Sequence, residues 1–159
     1  MKQGEIAKWL KAITIVIGVM GVVFFGVLLP MIGKDIAVEN PEVAWMYIPA
    51  LVYSWCIAGF CYGILFQFWK VCVEIGKDNS FSIENAKSFK NVGRIALMLG
   101  VIWFIGIIVL VFIGLGHPGV SLLMAAAVIA NMILAVLSGS LSHLILKAYE
   151  MKKETELTI

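Results

Sequence analysis

Long runs without charged side chains dominate this chain. Residues 12–33 and 43–69 contain no Asp, Glu, Lys or Arg, and a third such run covers 95–146. A helix needs about 20 apolar residues to cross a hydrocarbon core of about 30 Å, so each of the first two runs predicts one transmembrane helix. The third run has 52 residues, and a single helix of that length would extend about 78 Å at about 1.5 Å per residue. It must therefore fold back on itself.

The point of reversal in the third run is marked by its own residues. Three glycines and a proline crowd positions 114–119, and such residues interrupt helices and favour tight turns. We therefore predict an all-α integral membrane protein, a bundle of four transmembrane helices that forms a single domain over residues 1–159. The predicted spans cover about residues 10–32, 43–69, 95–114 and 120–146.

The distribution of basic residues predicts the orientation of these spans. Eleven of the twelve Lys and Arg residues lie before the first predicted span, between the second and third, or after the fourth. Lys34 lies instead in the connection between the first and second spans. Because cytoplasmic segments of membrane proteins carry an excess of Lys and Arg, we predict that both termini, the segment 70–94 and the tail 147–159 are cytoplasmic.

The cytoplasmic segment 70–94 is predicted to be largely helical. We expect the second span to continue to Gly76, a turn to follow at 77–79, and a new helix to begin after Ser82. Serine is a favourable N-cap because its hydroxyl accepts a hydrogen bond from a backbone N–H of the first turn. Glu84 would then lie near the positive end of the helix dipole, where a carboxylate is stabilised.

Composition narrows the range of functions. Hydrophobic residues make up 62% of the chain and charged residues 14%, and the net charge is only +2. The basic residues are dispersed, which argues against direct binding of nucleic acid.

No charged side chain lies in the core of a predicted span, which argues against proton-coupled transport because intramembrane carboxylates usually carry that chemistry. No nucleophile, base or metal-ligand set can be assembled from the sequence, so we expect neither an enzyme nor a bound cofactor or metal.

Small and polar residues inside two spans predict close helix packing. In the fourth span they recur at steps of three or four residues and form one stripe, and in the second span two glycines form a small-x-x-x-small pattern. Such residues let helix backbones approach each other. Packing within this chain is the favoured interpretation, and the interface of a homodimer is the alternative. The candidate packing residues are Gly59, Gly63, Asn131, Ala135, Ser138 and Ser142.

Several short motifs, in order along the chain, resemble those of a known family. They are Asn40-Pro41-Glu42-x-Ala44 followed by Pro49, then Phe81-Ser82, then Phe89-Lys90-Asn91-Val92, and finally Glu154-x-Glu156-Leu157-Thr158-Ile159. Over essentially its whole length the chain resembles the YoaS-like family of small bacterial membrane proteins of unknown function. The resemblance implies a multi-pass protein of the bacterial cytoplasmic (inner) membrane. It also implies a partner, since members are commonly encoded beside a very small helix-turn-helix regulator.

We therefore expect a non-enzymatic regulatory membrane anchor or sensor, with the lipid bilayer and a small cytoplasmic DNA-binding regulator as its partners. An alternative is a small transporter or an immunity-type protein that acts on amphipathic compounds. In the first interpretation, the helix after Ser82 presents an apolar face to a partner helix, and the end of the tail adds to a partner as an extended strand. The candidate partner-binding residues are Ile83, Ala86, Lys87, Phe89, Lys90, Leu157 and Ile159. The competing expectation is that Ile83 and Phe89 pack back onto the bundle or enter the lipid interface and that the tail is disordered.

Overall fold

The computed structural model of this chain describes residues 3–157, and side chains from residue 4 to residue 155. The described part is all-helical, and four of its helical stretches are long and apolar enough to cross a membrane. The predicted all-α fold with four long apolar helices is therefore confirmed. The elements are α1 (Gln3–Val23), a π-helical turn (Phe24–Leu28), α2 (Leu29–Glu39), a 3-10 turn (Pro41–Met46), α3 (Tyr47–Gly76), α4 (Ile83–Phe112) and α5 (Pro118–Leu157).

The connection between α3 and α4 follows the local signals in the sequence. Helix α3 ends at Gly76, and α4 begins at Ile83. Ser82 caps α4, because its hydroxyl accepts a hydrogen bond of 3.1 Å from the backbone N–H of Asn85. Asp78 takes a left-handed backbone conformation with φ of 57°, which lets the chain reverse direction. The predicted turn and N-cap are therefore confirmed.

Each helix packs mainly against its neighbours in the chain. Helix α1 packs on α3, α3 packs on α4, and α4 packs on α5, whereas α1 makes no close backbone approach to α4 or α5 within residues 3–157. Short connections favour this order because consecutive helices must run antiparallel beside each other. The result is an open row of helices with long apolar faces, which hydrocarbon can cover.

Both ends of the described chain lie at the same end of this row. A Cβ atom on Gly76 would lie 3.4 Å from the Cβ of Ala7 in α1, so the start of α1 is beside the end of α3. The hydroxyl of Ser142 in α5 donates to the carbonyl of Ala86 in α4 at 2.6 Å. We call this the basic end, comprising residues 3–11, 70–94 and 147–157, because nearly all of the Lys and Arg residues lie there.

The closest packing joins α4 and α5. A Cβ on Gly93 would lie 3.1 Å from the carbonyl oxygen of Ala135, and one on Gly100 would lie 3.5 Å from the Cβ of Asn131. Residues seven apart recur along both sides of this interface, as in left-handed helix pairs. On α4 the buried repeat is Asn85, Val92, Leu99 and Gly106, and on α5 the corresponding positions are Met124, Asn131, Ser138 and Ile145.

The contact between the first span and α3 depends on a proline. The N–H of Leu29 bonds to the carbonyl of Phe24 in the π-helical turn. The next residue, Pro30, has no N–H, so the carbonyl of Phe25 receives no partner from within its own helix. The indole N–H of Trp55 in α3 donates to that carbonyl at 3.1 Å. A carbonyl that would be unsatisfied in hydrocarbon thus becomes a link between two helices.

Tyrosine hydroxyls make further links of the same kind. The hydroxyl of Tyr62 donates to the carbonyl of Gly18 at 2.7 Å, and the hydroxyl of Tyr53 donates to the carbonyl of Ile102 at 3.0 Å. Each bond joins α3 to a neighbouring helix through a backbone acceptor. These two tyrosine hydroxyls therefore help to hold α3 to its neighbours in the row.

Candidate functional site

Part of the predicted partner-binding face packs against neighbouring helices. Ala86 is only 5% exposed, and its carbonyl accepts the hydrogen bond from Ser142. The ring of Phe89 meets the ring of Phe68 in α3 edge to face, with centroids 6.2 Å apart, and Ile83 is half-buried. Ala86 is therefore covered by α5, and Phe89 makes the contact with the bundle that the competing expectation describes. Binding of a partner by this face stays a prediction.

The two lysines among the candidate partner-binding residues are at the surface. Lys87 and Lys90 are both exposed on α4. The described part of the tail is helical, because α5 continues to Leu157. The addition of the end of the tail to a partner as an extended strand stays a prediction. The side chain of Leu157 and the whole of Ile159 lie outside the described residues. The described surface at the basic end is therefore mostly helical, and Lys87 and Lys90 are among its exposed charged groups.

The candidate packing residues divide into two groups. The stripe on α5 faces α4: Asn131 lies against Gly100, the carbonyl of Ala135 lies against Gly93, and Ser138 is buried. Ser142 belongs to the same stripe and donates to α4 as described above. In α3, a Cβ on Gly63 would lie 3.5 Å from Ile95 of α4, whereas a Cβ on Gly59 would have nothing within 4 Å. Gly59 therefore lies on the outer surface of α3.

A polar cleft opens between α3 and α4 at the basic end. Its volume is about 380 Å³. Its walls are formed by the end of the uncharged run of α3, the charged residues that follow it, and the first turns of α4. The cleft therefore lies where uncharged helix gives way to charged helix. The residues that line it are Gln67, Trp69, Lys70, Val73, Glu74, Glu84, Lys87, Ser88 and Asn91.

The cleft has uncharged polar groups in its wall and charged groups toward its rim. The Gln67 Oε1 atom is buried and has no hydrogen-bond partner, and Ser88 is also buried. Glu74 is occupied, because Lys77 donates to it at 2.7 Å and Asn79 at 3.0 Å. An unpaired buried acceptor is energetically unfavourable unless a donor reaches it. Gln67 Oε1 is therefore the atom in the wall of the cleft that most needs a hydrogen-bond donor.

Sequence reasoning did not assign Gln67 or Ser88 to a site. Gln67 is the only Gln, Asn, Asp, Glu, Lys or Arg in the run 43–69, which is a signal that could have found it. Ser88 carries no comparable signal, since it is one of several serines in the segment. Among the described residues, no group of three or more His, Cys, Asp or Glu side chains could hold a metal ion.

A second, larger cavity lies toward the opposite end, between α2, α3 and the adjoining ends of α4 and α5. Its volume is about 610 Å³, and its walls are almost entirely apolar. The hydroxyls of Tyr47 and Ser54, which line it, donate to the carbonyls of Pro30 and Ala50 at 3.3 Å and 2.8 Å. This cavity therefore offers hydrocarbon contact and little hydrogen bonding.

Comparison with known proteins agrees with the motif resemblance. A family model described as "Protein of unknown function (DUF2975)" matches residues 31–159. The chain is 24% identical over 153 residues to the uncharacterized membrane protein YoaS of Bacillus subtilis (strain 168), and the match covers 95% of this chain and 96% of that protein. No solved structure matches. With its four apolar helices, the chain is a multi-pass membrane protein with a bacterial relative, and the resemblance to the YoaS-like family is confirmed.

Proposed function

Because this chain belongs to the DUF2975 family of proteins of unknown function, we propose a role from its own geometry: a regulatory membrane anchor whose basic end binds a small cytoplasmic regulator. The anchor lies in the bacterial cytoplasmic membrane with the basic end inside, because Lys and Arg are enriched on the cytoplasmic side of such proteins. The regulator is a small helix-turn-helix protein in this proposal.

One observation carries the proposal: the helices project farthest beyond their uncharged segments at the basic end. At the other end α2 continues just six residues past its uncharged run, to Glu39. Helix α4 begins at Ile83, twelve residues before the uncharged run that starts at Ile95, which is a projection of about 18 Å at about 1.5 Å per residue. Helix α5 continues from that run to Leu157. At the opposite end the connections are short turns. A rigid helical surface in water is what a protein partner needs, and it is available at this end.

The exposed groups at the basic end indicate the kind of partner surface that would fit. Phe81, in the connection before α4, is 59% exposed, and Lys90 is exposed on α4. An exposed aromatic ring in water, far from the hydrocarbon, is a typical anchor for protein contacts. A partner with an apolar pocket and acidic side chains around it would complement both groups.

Affinity capture tests this proposal. The intact chain would be purified with bound proteins in mild detergent, beside the variants Phe81→Ser and Lys90→Glu and the control Lys34→Glu at the opposite end. We expect the intact chain and the control to retain a small helix-turn-helix protein and the two basic-end variants to lose most of it. Equal recovery by all four proteins, or no DNA-binding protein with the intact chain, would contradict the anchor role.

The apolar cavity favours a second candidate function, in which the protein binds or moves amphipathic compounds. Its volume of about 610 Å³ lies within the usual range of about 300–1,000 Å³ for small-molecule sites. Residues 12–33, 43–69 and 95–146 contain no Asp, Glu, Lys or Arg. This candidate therefore lacks the intramembrane carboxylate that usually carries coupled protons. Resistance of cells to amphipathic toxins, with and without the intact chain, tests this alternative, and unchanged resistance would count against it.

A further inference from the structure

The polar cleft lies at the depth of lipid headgroups. Trp69 is the last residue of the uncharged run in α3, and Arg94 immediately precedes the uncharged run that continues α4. The cleft is lined by residues on either side of these two positions. Tryptophan prefers the interface between hydrocarbon and water, so its place in the wall agrees with this depth. The cleft therefore meets the bilayer where phosphate and amine groups are found.

The groups in the cleft would complement a ligand that carries both a positive and a negative charge. Gln67 Oε1 needs a hydrogen-bond donor, since it is buried and unpaired. Glu84 and Lys87 line the cleft and are exposed, and neither forms an ion pair among the described residues. Lys70 also lines the cleft, and its ammonium lies 4.6 Å from the ring centre of Phe66. A cation with N–H groups and an anion with several oxygens would satisfy this set.

We propose that this cleft binds a phosphoethanolamine group, supplied as the headgroup of a membrane phospholipid. The primary ammonium donates to Gln67 Oε1 and pairs with Glu84, and the phosphate oxygens accept from Lys70 and Lys87. A choline headgroup has no N–H to donate, and a glycerol headgroup has no cation for Glu84. The acyl chains of the same phospholipid would extend from the wall at Trp69 along the apolar faces of α3 and α4.

Native mass spectrometry of the full chain in detergent tests the proposal. The chain would be titrated separately with phosphatidylethanolamine, phosphatidylcholine, phosphatidylglycerol and free phosphoethanolamine. We expect phosphatidylethanolamine to bind at a concentration about tenfold or more below the other two lipids, since hydrogen bonds to charged groups are worth about that much. Free phosphoethanolamine should compete with the lipid at high concentration. If it binds as tightly as the lipid, the bilayer is not the source and the proposal fails.

Matched variants tie that preference to the cleft. Gln67→Leu removes the unpaired acceptor at similar size, and it should abolish the preference over phosphatidylcholine. Lys87→Gln should weaken binding of all phospholipids, whereas Lys34→Gln, at the opposite end, should leave it unchanged. If Gln67→Leu does not fold, as judged by thermal unfolding, Glu84→Gln serves instead and should reduce the preference, because it removes the carboxylate that pairs with the ammonium. Equal binding of all lipids, or a preference that survives these changes, would overturn the proposal. This outcome is independent of the anchor role, which the Phe81 and Lys90 variants test separately.

Discussion

Gly93 offers the sharpest test of the packing between α4 and α5. A Cβ atom at this position would lie 3.1 Å from the carbonyl oxygen of Ala135 and 3.6 Å from the backbone nitrogen of Gly139. Both are backbone atoms, so neither can rotate out of the way as a side chain would. Gly139 itself provides a matched control, because a Cβ there would meet nothing within 4 Å. The two glycines lie at the same depth on facing helices.

The expected magnitudes separate the two alanine variants clearly. Replacing glycine by alanine within a helix stabilises it by about 0.5–1 kcal/mol, and this applies equally at both positions. At Gly93 the added methyl group must also push the helices apart, and overpacking of this kind costs about 1–3 kcal/mol. Gly139→Ala should therefore be slightly more stable than the wild type. Gly93→Ala should be less stable than Gly139→Ala by about 1–3 kcal/mol.

Unfolding by sodium dodecyl sulfate measures this difference. The purified proteins would be titrated in mixed micelles while helix content is followed by circular dichroism and tertiary packing by tryptophan fluorescence. Gly93→Leu extends the series and should be more destabilised again, with Gly139→Leu close to the wild type. If Gly93→Ala is as stable as Gly139→Ala, the two backbones do not approach as described and the reasoning is refuted.

Two further predictions concern the first span and the orientation. Trp55→Phe removes the only side-chain donor described for the Phe25 carbonyl and should lower the free energy of unfolding by about 0.5–1.5 kcal/mol. The control Trp45→Phe should change this free energy little. Equal effects of the two variants would contradict the role given to the Trp55 hydrogen bond. In a variant without the three native cysteines, Glu39→Cys and His117→Cys should react with a membrane-impermeant maleimide in intact cells, since the basic end is predicted to be cytoplasmic. Labelling only after permeabilisation would refute the orientation.

Local signals account for what the sequence determined. The number of spans follows from the length of the uncharged runs, because a bilayer accepts only about 20 residues per crossing. The start of α4 follows from Ser82, because an N-cap depends on atoms within one turn. The stripe on α5 could also be recognised, since residues three and four apart share a helix face. Each of these features depends on neighbours in the chain.

Tertiary structure decided the features that depend on distant residues. Ile83, Ala86 and Phe89 form a face that the sequence could assign either to a partner or to the bundle. The structure places Ala86 against α5 and Phe89 against α3. Gly59 and Gly63 share one motif, yet a Cβ on Gly63 would meet Ile95 while one on Gly59 would meet nothing. The cleft brings Gln67 near Ser88, which lies 21 positions along the chain. The spacing of residues in the sequence defines which of them share a helix face. What that face contacts depends on how whole helices pack, and packing involves residues that are distant in the sequence.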